Sequence, residues 1–240
     1  MQIRLDKYLA DMGVGTRSQV KQYIRKKQVL VNGSIPKGPE QKVERRDTVS
    51  FLGKVISWQE YEYFLFYKPA GCVSAVQDNY HRTVLDYFPK NHRKDLFPVG
   101  RLDIDTEGLL LITNDGELSH RLLSPKKHVT KTYFARVSGR VTEQDVQKFA
   151  GGLEIGEKKP TLPACLKILS LEAEASLVEL TITEGKFHQV KRMFEAVEKK
   201  VLYLKRIAMG ELKLDEALQP GEYRELTEEE LLSLRKSTMQ

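Results

Sequence analysis

Residues 100–116, Gly-Arg-Leu-Asp-Ile-Asp-Thr-Glu-Gly-Leu-Leu-Leu-Ile-Thr-Asn-Asp-Gly, restrict what this chain can fold into more than any other stretch. Leu109 to Ile112 is apolar without alternation and ends in Asn-Asp-Gly. A short apolar run closed by turn residues reads as a buried strand. Arg101, Asp103 and Asp105 stand just before it. Charged groups beside a buried strand cost free energy unless they pair with one another or serve chemistry. If this segment is extended, Arg101, Asp103 and Asp105 share one side of the chain. Burial would raise the pKa of Asp103, so an ionised Asp103 needs a cation close by. Lys191 and Arg192 are the candidates, on a helix expected from about His188 to Val197. A buried ion pair that only fixes the fold is the plain alternative.

The charge is unevenly spread. Residues 1–48 hold eleven Lys and Arg against five Asp and Glu, an excess equal to the +6 of the whole 240-residue chain. A basic module joined to a neutral one is the electrostatic footprint of a nucleic-acid-binding domain attached to something else. Within it, Thr16 can cap a helix from about Arg17 to Gln28, with Val20 and Ile24 on one face and Arg17, Lys21 and Arg25 recurring on another. Leu5, Leu9 and Met12 suit an earlier short helix, and Val29-Leu30-Val31 runs into Asn32-Gly33, a hairpin signal. The expected organisation is a small domain over 1–53, a linker over 54–60 and a larger domain over 61–240. Trp58, in that linker, is expected to pack between the domains.

In the larger part, the pattern predicts strands at Tyr63–Tyr67, Lys131–Val137 and Leu177–Thr183. It predicts a short helix over Thr83–Phe88 and helices capped by Asp115, Thr142 and Thr227. This is an α+β fold: a small α+β domain, then a domain with a mostly antiparallel, mixed sheet flanked by helices. No run approaches the ~20 apolar residues of a membrane span, and the N-terminus lacks the apolar core of a signal peptide. The expectation is a cytoplasmic, monomeric protein with no membrane partner. Cys72 and Cys165 form no disulfide framework or metal spacing, and each reads as a small buried residue. There is no Rossmann glycine fingerprint, P-loop or zinc spacing, so no cofactor and no metal are expected. His120 and His188 read as surface or orienting histidines. Asp103 with Asp105 does not suit a glycosidase pair, which must flank one bond from opposite sides.

Lys68-Pro69-Ala70-Gly71, Gly100 to Asp103, Lys131-Thr132-Tyr133 and Glu184-Gly185-Lys186-Phe187-His188-Gln189-Val190-Lys191-Arg192-Met193 resemble, in order, the motifs of the RsuA-type pseudouridine synthases. Arg4-Leu5-Asp6-Lys7, Thr16-Arg17-Ser18, Ile24 and Val29 to Gly33 resemble the S4 RNA-binding domain. The resemblance implies that Asp103 is the nucleophile, Tyr133 the ring against the uracil and Lys191 the ammonium paired with Asp103. It implies that Arg101 holds a substrate phosphate or fills the gap left by the displaced base. Arg4, Arg17, Lys21 and Arg25 of the S4 part, and Lys68 and Arg192 of the catalytic motifs, are the further RNA contacts it implies. Isomerising uridine breaks and remakes one bond to the same base, without redox chemistry or group transfer to a second molecule. A carboxylate can do this covalently, by attack on the sugar or the base, and the target must first be flipped out.

Leu118 to Pro125, His128 and Gly221-Glu222-Tyr223-Arg224 resemble the small-subunit branch of the group. The implied partner is 16S ribosomal RNA, bare or in an assembling small-subunit particle, with one uridine of the uridine-516 type as target. A 23S enzyme of the same group is the alternative within the class. A non-catalytic ribosome-assembly factor and a base-excising N-glycosidase are the alternatives outside it.

Overall fold

The computed structural model describes residues 2–89 and 93–238. The chain folds into two compact units.

The first unit comprises Met1–Glu62 with Phe88–Leu96. Its elements are β1 (Gln2–Arg4), α1 (Leu5–Asp11), α2 (Arg17–Arg25), β2 (Val29–Val31), β3 (Lys42–Glu44), β4 (Val49–Phe51) and β5 (Lys54–Ile56). Thr16 starts α2 with a capping box: its side chain accepts from Gln19 N while the Gln19 side chain accepts from Thr16 N. Leu5, Tyr8 and Leu9 of α1 and Val20 and Ile24 of α2 pack on Val29, Val31, Val43 and Val49. The apolar face of α2 thus goes inward, and its basic stripe stays outside. Asn32 and Gly33 both adopt positive φ, 51° and 77°, as a two-residue turn demands, and Val31 and Ser34 pair across it.

Residues 54–60 do not form the expected linker. Lys54–Ile56 is the edge strand of the antiparallel sheet β2-β4-β5, and Tyr8 Oη donates to the Ile56 carbonyl at 2.7 Å. Trp58, expected to pack between the domains, makes contacts within this unit. Its ring lies 5.1 Å from that of Tyr8, and the Arg93 guanidinium stands 5.6 Å from its centroid, both within this unit. The alternation signal for so short a strand is three residues, too few to distinguish it from a connection.

The second unit comprises Tyr63–Tyr87 and Phe97–Gln240. It contains β6 (Tyr63–Lys68), β7 (Phe97–Pro98), β8 (Glu107–Thr113), α3 (Gly116–Leu123), β9 (Lys131–Ser138), α4 (Glu143–Gly151) and β10 (Cys165–Leu171). It continues with β11 (Ala175–Ile182), α5 (Gln189–Glu195), β12 (Val201–Met209), β13 (Leu212–Lys213), β14 (Tyr223–Glu225) and α6 (Glu228–Ser237). Seven strands run in the order β10-β11-β9-β12-β8-β6-β14, with β7 added on β8 and β13 on β12. Among these strands only β12 with β8 is parallel; the other strand pairings among the described residues are antiparallel. The mixed α+β fold read from the sequence is the fold observed.

The strand at Leu109 to Ile112 lacks alternation because it is covered on both faces: all four residues are wholly buried. Leu109 and Leu111 join Leu65, Leu118, Leu122 and Leu234 in one core. Gly108 begins the run at φ 105°, where the parallel strand crosses closely; a Cβ there would lie 2.2 Å from the Arg206 carbonyl oxygen. Only glycine fits. Asp115, Thr142 and Thr227 cap α3, α4 and α6 as expected. Cys72 is buried, whereas Cys165 is exposed at the start of the outermost strand β10, contrary to expectation.

Candidate active site

Three segments of the second unit meet at an open cleft. The loop 100–106 brings Arg101 and Asp103, β9 brings Tyr133, and the turn 184–188 with the first turn of α5 brings His188 and Lys191. Ile182 and Leu204, from β11 and β12, add apolar wall.

The loop before β8 is not an extended strand. Thr106 N donates to Asp103 O at 3.1 Å, closing a turn, so Asp105 does not continue the register of Asp103. That loop is held from beneath. Ser74 Oγ donates to Leu102 O at 2.9 Å and accepts from Leu102 N at 3.0 Å, and Gly71 N donates to Ile104 O at 2.7 Å. Lys68, expected to contact RNA, is instead 0% exposed. Its ammonium donates to the carbonyls of Pro69, Asp103, Ile104 and Thr106 at 2.9–3.4 Å. Burial lowers its pKa from the ordinary lysine value, with the acidic groups of Cys72, Asp105 and Asp103 opposing. The correction has a simple cause. Lys68 ends a strand whose side chain points into the protein, where only backbone oxygens can satisfy an ammonium.

On the other side, the turn before α5 is cross-braced. Gln189 Nε2 donates to Glu184 Oε1 at 2.9 Å, and Lys186 N donates to Gln189 Oε1 at 2.8 Å. His188 takes the left-handed conformation, φ 49°, uncommon for a residue with a Cβ, and α5 starts after it. Lys191 Nζ is thereby placed 3.3 Å from Asp103 Oδ2 and 2.6 Å and 2.9 Å from the two oxygens of Asp105. His188 Nε2 lies 3.5 Å from Asp103 Oδ1. Burial pulls the Lys191 pKa down, but the Asp105 hydrogen bond and the charges of Asp103 and Asp105 outweigh it, leaving the pKa above the ordinary lysine value. Asp105 is likewise pushed up by burial and brought below the usual carboxylate range by Lys191. One lysine therefore serves two carboxylates, with Asp103, 26% exposed, at the cleft.

The structure brings together Asp103, Tyr133, Lys191 and Arg101. Arg101 is exposed and has no hydrogen-bond or ion-pair partner among the described residues, which leaves its guanidinium available to an anion. Arg192, expected as an RNA contact, points elsewhere. Its guanidinium donates to Glu157 Oε1 at 2.8 Å, to Phe187 O at 3.0 Å and to Ile155 O, so it pins the turn before α5. In the first unit, Arg17 and Arg25 are exposed and Lys21 half-buried along α2. Arg4 is exposed but bound to Asp6 through two hydrogen bonds of 3.0 Å and 2.9 Å, so its charge is shared with that carboxylate. Lys68 was singled out in sequence for a different role and His188 only as a surface or orienting residue, while the parts played by Asp105 and Ser74 were missed. Asp105 had a signal, an acid two residues from Asp103; Ser74 had none.

Residues 62–196 match the RNA pseudouridylate synthase family, and residues 3–49 match the S4 domain. The chain belongs to the RNA pseudouridylate synthase family. A Haemophilus influenzae protein named ribosomal small subunit pseudouridine synthase A is 42% identical to this synthase over 98% of this chain and 100% of its own. A Bacillus subtilis protein named ribosomal large subunit pseudouridine synthase B is also 42% identical, over 97% of this chain and 95% of its own. A solved structure described as a pseudouridylate synthase shares 42% identity with a TM-score of 0.67, covering 97% of this synthase and 99% of that chain.

Proposed function

We propose that this protein isomerises one uridine of ribosomal RNA to pseudouridine, and that the RNA is the 16S molecule of the small subunit. The observation that carries the reaction is a half-buried carboxylate, Asp103, with Lys191 Nζ at 3.3 Å, in a cleft that also holds the Tyr133 ring. The ammonium sets a positive charge beside the carboxylate, a group able to act as a nucleophile. Flipping the target into the cleft costs a few kcal/mol, and stacking on an aromatic ring returns about 1–3 kcal/mol. Asp103 attacks the sugar C1′ or the base. The bond from nitrogen to C1′ breaks, the base turns while held, a carbon of the ring bonds to C1′, and the bond to Asp103 is released to return the free carboxylate. One proton leaves that carbon and one is taken up by the freed nitrogen, so the RNA keeps its mass. Arg101 takes a backbone phosphate beside the target, and Arg17, Lys21 and Arg25 give the S4 unit its contact with the RNA backbone.

The 16S assignment rests on the branch-like motifs at Leu118 to Pro125 and Gly221 to Arg224, and on the small-subunit relative. Folded RNA is recognised by shape and by splayed bases, so both units take part, as a monomer in the cytoplasm. The deciding experiment is chemical mapping of pseudouridine in ribosomal RNA from cells with and without the protein. Loss of a single 16S site is expected. Loss of a 23S site would transfer the target to the large subunit, and no change in either RNA would defeat the reading. Asp103→Asn should abolish isomerisation and leave RNA binding largely intact; full activity in that variant would remove Asp103 from the nucleophile's role.

A further inference from the structure

Phe187 lies in the turn before α5 with 70% of its surface exposed. Exposed apolar residues are ordinary on protein surfaces; the setting of this one is not. Its ring stacks on His188, with centroids 3.8 Å apart and planes inclined by 19°. His188 in turn lines the cleft and places Nε2 3.5 Å from Asp103 Oδ1. The backbone beneath is fixed: the Phe187 carbonyl accepts from Arg192 Nη1 at 3.0 Å, and Lys186 Nζ donates to Pro160 O at 2.8 Å. A rigid ring pair, open on the Phe187 side, is therefore presented beside the carboxylate. Ile104, 41% exposed and adjacent to Asp103 in sequence, adds a second apolar surface to that loop.

Eversion of a nucleotide leaves its neighbour without one stacking partner. That neighbour lies within a nucleotide's length of the reacting sugar. We propose that the Phe187–His188 stack is a platform for the base next to the everted uridine, which packs face-on against the open side of the Phe187 ring. This rests on the isomerase reading above and adds to it a subsite for a second nucleobase. Every base has a π-face, so the platform stabilises the flipped state without reading sequence. Its pre-organisation means that little ordering is lost on binding.

The test uses the full-length protein and 16S RNA assembled with small-subunit proteins. The RNA is intact, or carries one abasic site on the 5′ or the 3′ side of the target. On intact RNA, Phe187→Ala should raise KM about tenfold. The single-turnover rate at saturation should fall less than about threefold, because the contact is made before chemistry. Phe187→Trp should restore KM. On RNA abasic at the stacked neighbour, wild type and Phe187→Ala should agree within about twofold, the signature of a shared contact. Phe187→Leu, which keeps an apolar side chain in the turn, gives the same comparison should the alanine variant not fold. An undiminished penalty on both abasic RNAs, or none on intact RNA, would overturn the platform while leaving the isomerase standing. A wild-type protein that converts no uridine in these particles, nor in 23S RNA assembled with large-subunit proteins, would overturn both.

Discussion

Lys68 and Asp103 show how one loop is given its shape by a charge that never meets solvent. The Lys68 ammonium draws in the carbonyls of Asp103, Ile104 and Thr106, so the chain must curl around it. The Asp103 side chain is thereby left on the cleft side, within reach of Lys191. Replacing Lys68 with Met leaves several carbonyls unpaired in the interior. The expected loss is about 2–4 kcal/mol in denaturant unfolding. A shift of Asp103, the proposed nucleophile, on the scale of 1 Å costs about 100-fold in rate, so kcat should fall by that order with KM little changed. A Lys68→Met variant with raised KM, unchanged kcat and a reduced salt dependence would return Lys68 to the RNA-contact role expected of it.

At the scale of elements, the site depends on where β8 and β12 meet. The parallel pairing of Lys205 with Glu107 and Arg206 with Gly108 places the loop 100–106 at the mouth of the sheet. Gly108 makes that approach possible, since a Cβ would press to 2.2 Å from the Arg206 carbonyl oxygen and 2.8 Å from its nitrogen, at a φ of 105°. Gly108→Ala must therefore separate the strands or reverse the local backbone. The expected destabilisation exceeds about 4 kcal/mol, to be read as a large fall in Tm or a failure to fold; a variant with wild-type Tm would refute the close-approach argument. The sequence showed the glycine but not its neighbour. β12 was absent from the strands read in sequence, although it is the central strand between β9 and β8. Its alternation is broken by register shifts between Val201 and Tyr203 and between Arg206 and Ala208. Bulges of this kind erase the two-residue period on which strand recognition depends.

At the scale of the whole molecule, the uneven charge makes a prediction that does not depend on the arrangement of the units. The first 48 residues carry an excess equal to the entire net charge of +6. Arg17, Lys21 and Arg25 sit along one helix, with no salt-bridge or hydrogen-bond partner among the described residues. Converting all three to Gln should reduce the slope of log K against log salt by about 2, since each phosphate contact contributes roughly 0.7–0.9. Isomerisation at saturating RNA should be retained. An unchanged slope would show that the RNA backbone is gripped elsewhere. Truncation is a poorer probe, because β4 and β5 pair beyond residue 48 and Phe88–Leu96 belongs to the same unit.

Local physics accounts for what could be read from the chain alone. Helix caps at Thr16, Asp115, Thr142 and Thr227, the buried run from Leu109 to Ile112 and the basic stripe on α2 are set by neighbours a few residues apart. Spacing therefore reveals them, and the four motif patches pointed to Asp103, Tyr133 and Lys191, which the fold brings to one cleft. Tertiary structure decided which charges face water. Lys68, Arg192 and Arg4 look in sequence like Arg101 and Arg17, yet the first three are spent on Asp103-loop carbonyls, on Glu157 and on Asp6. A cation's role depends on which oxygen lies within about 3 Å of it, and apart from the local Arg4–Asp6 pair those oxygens come from residues 35 or more positions away.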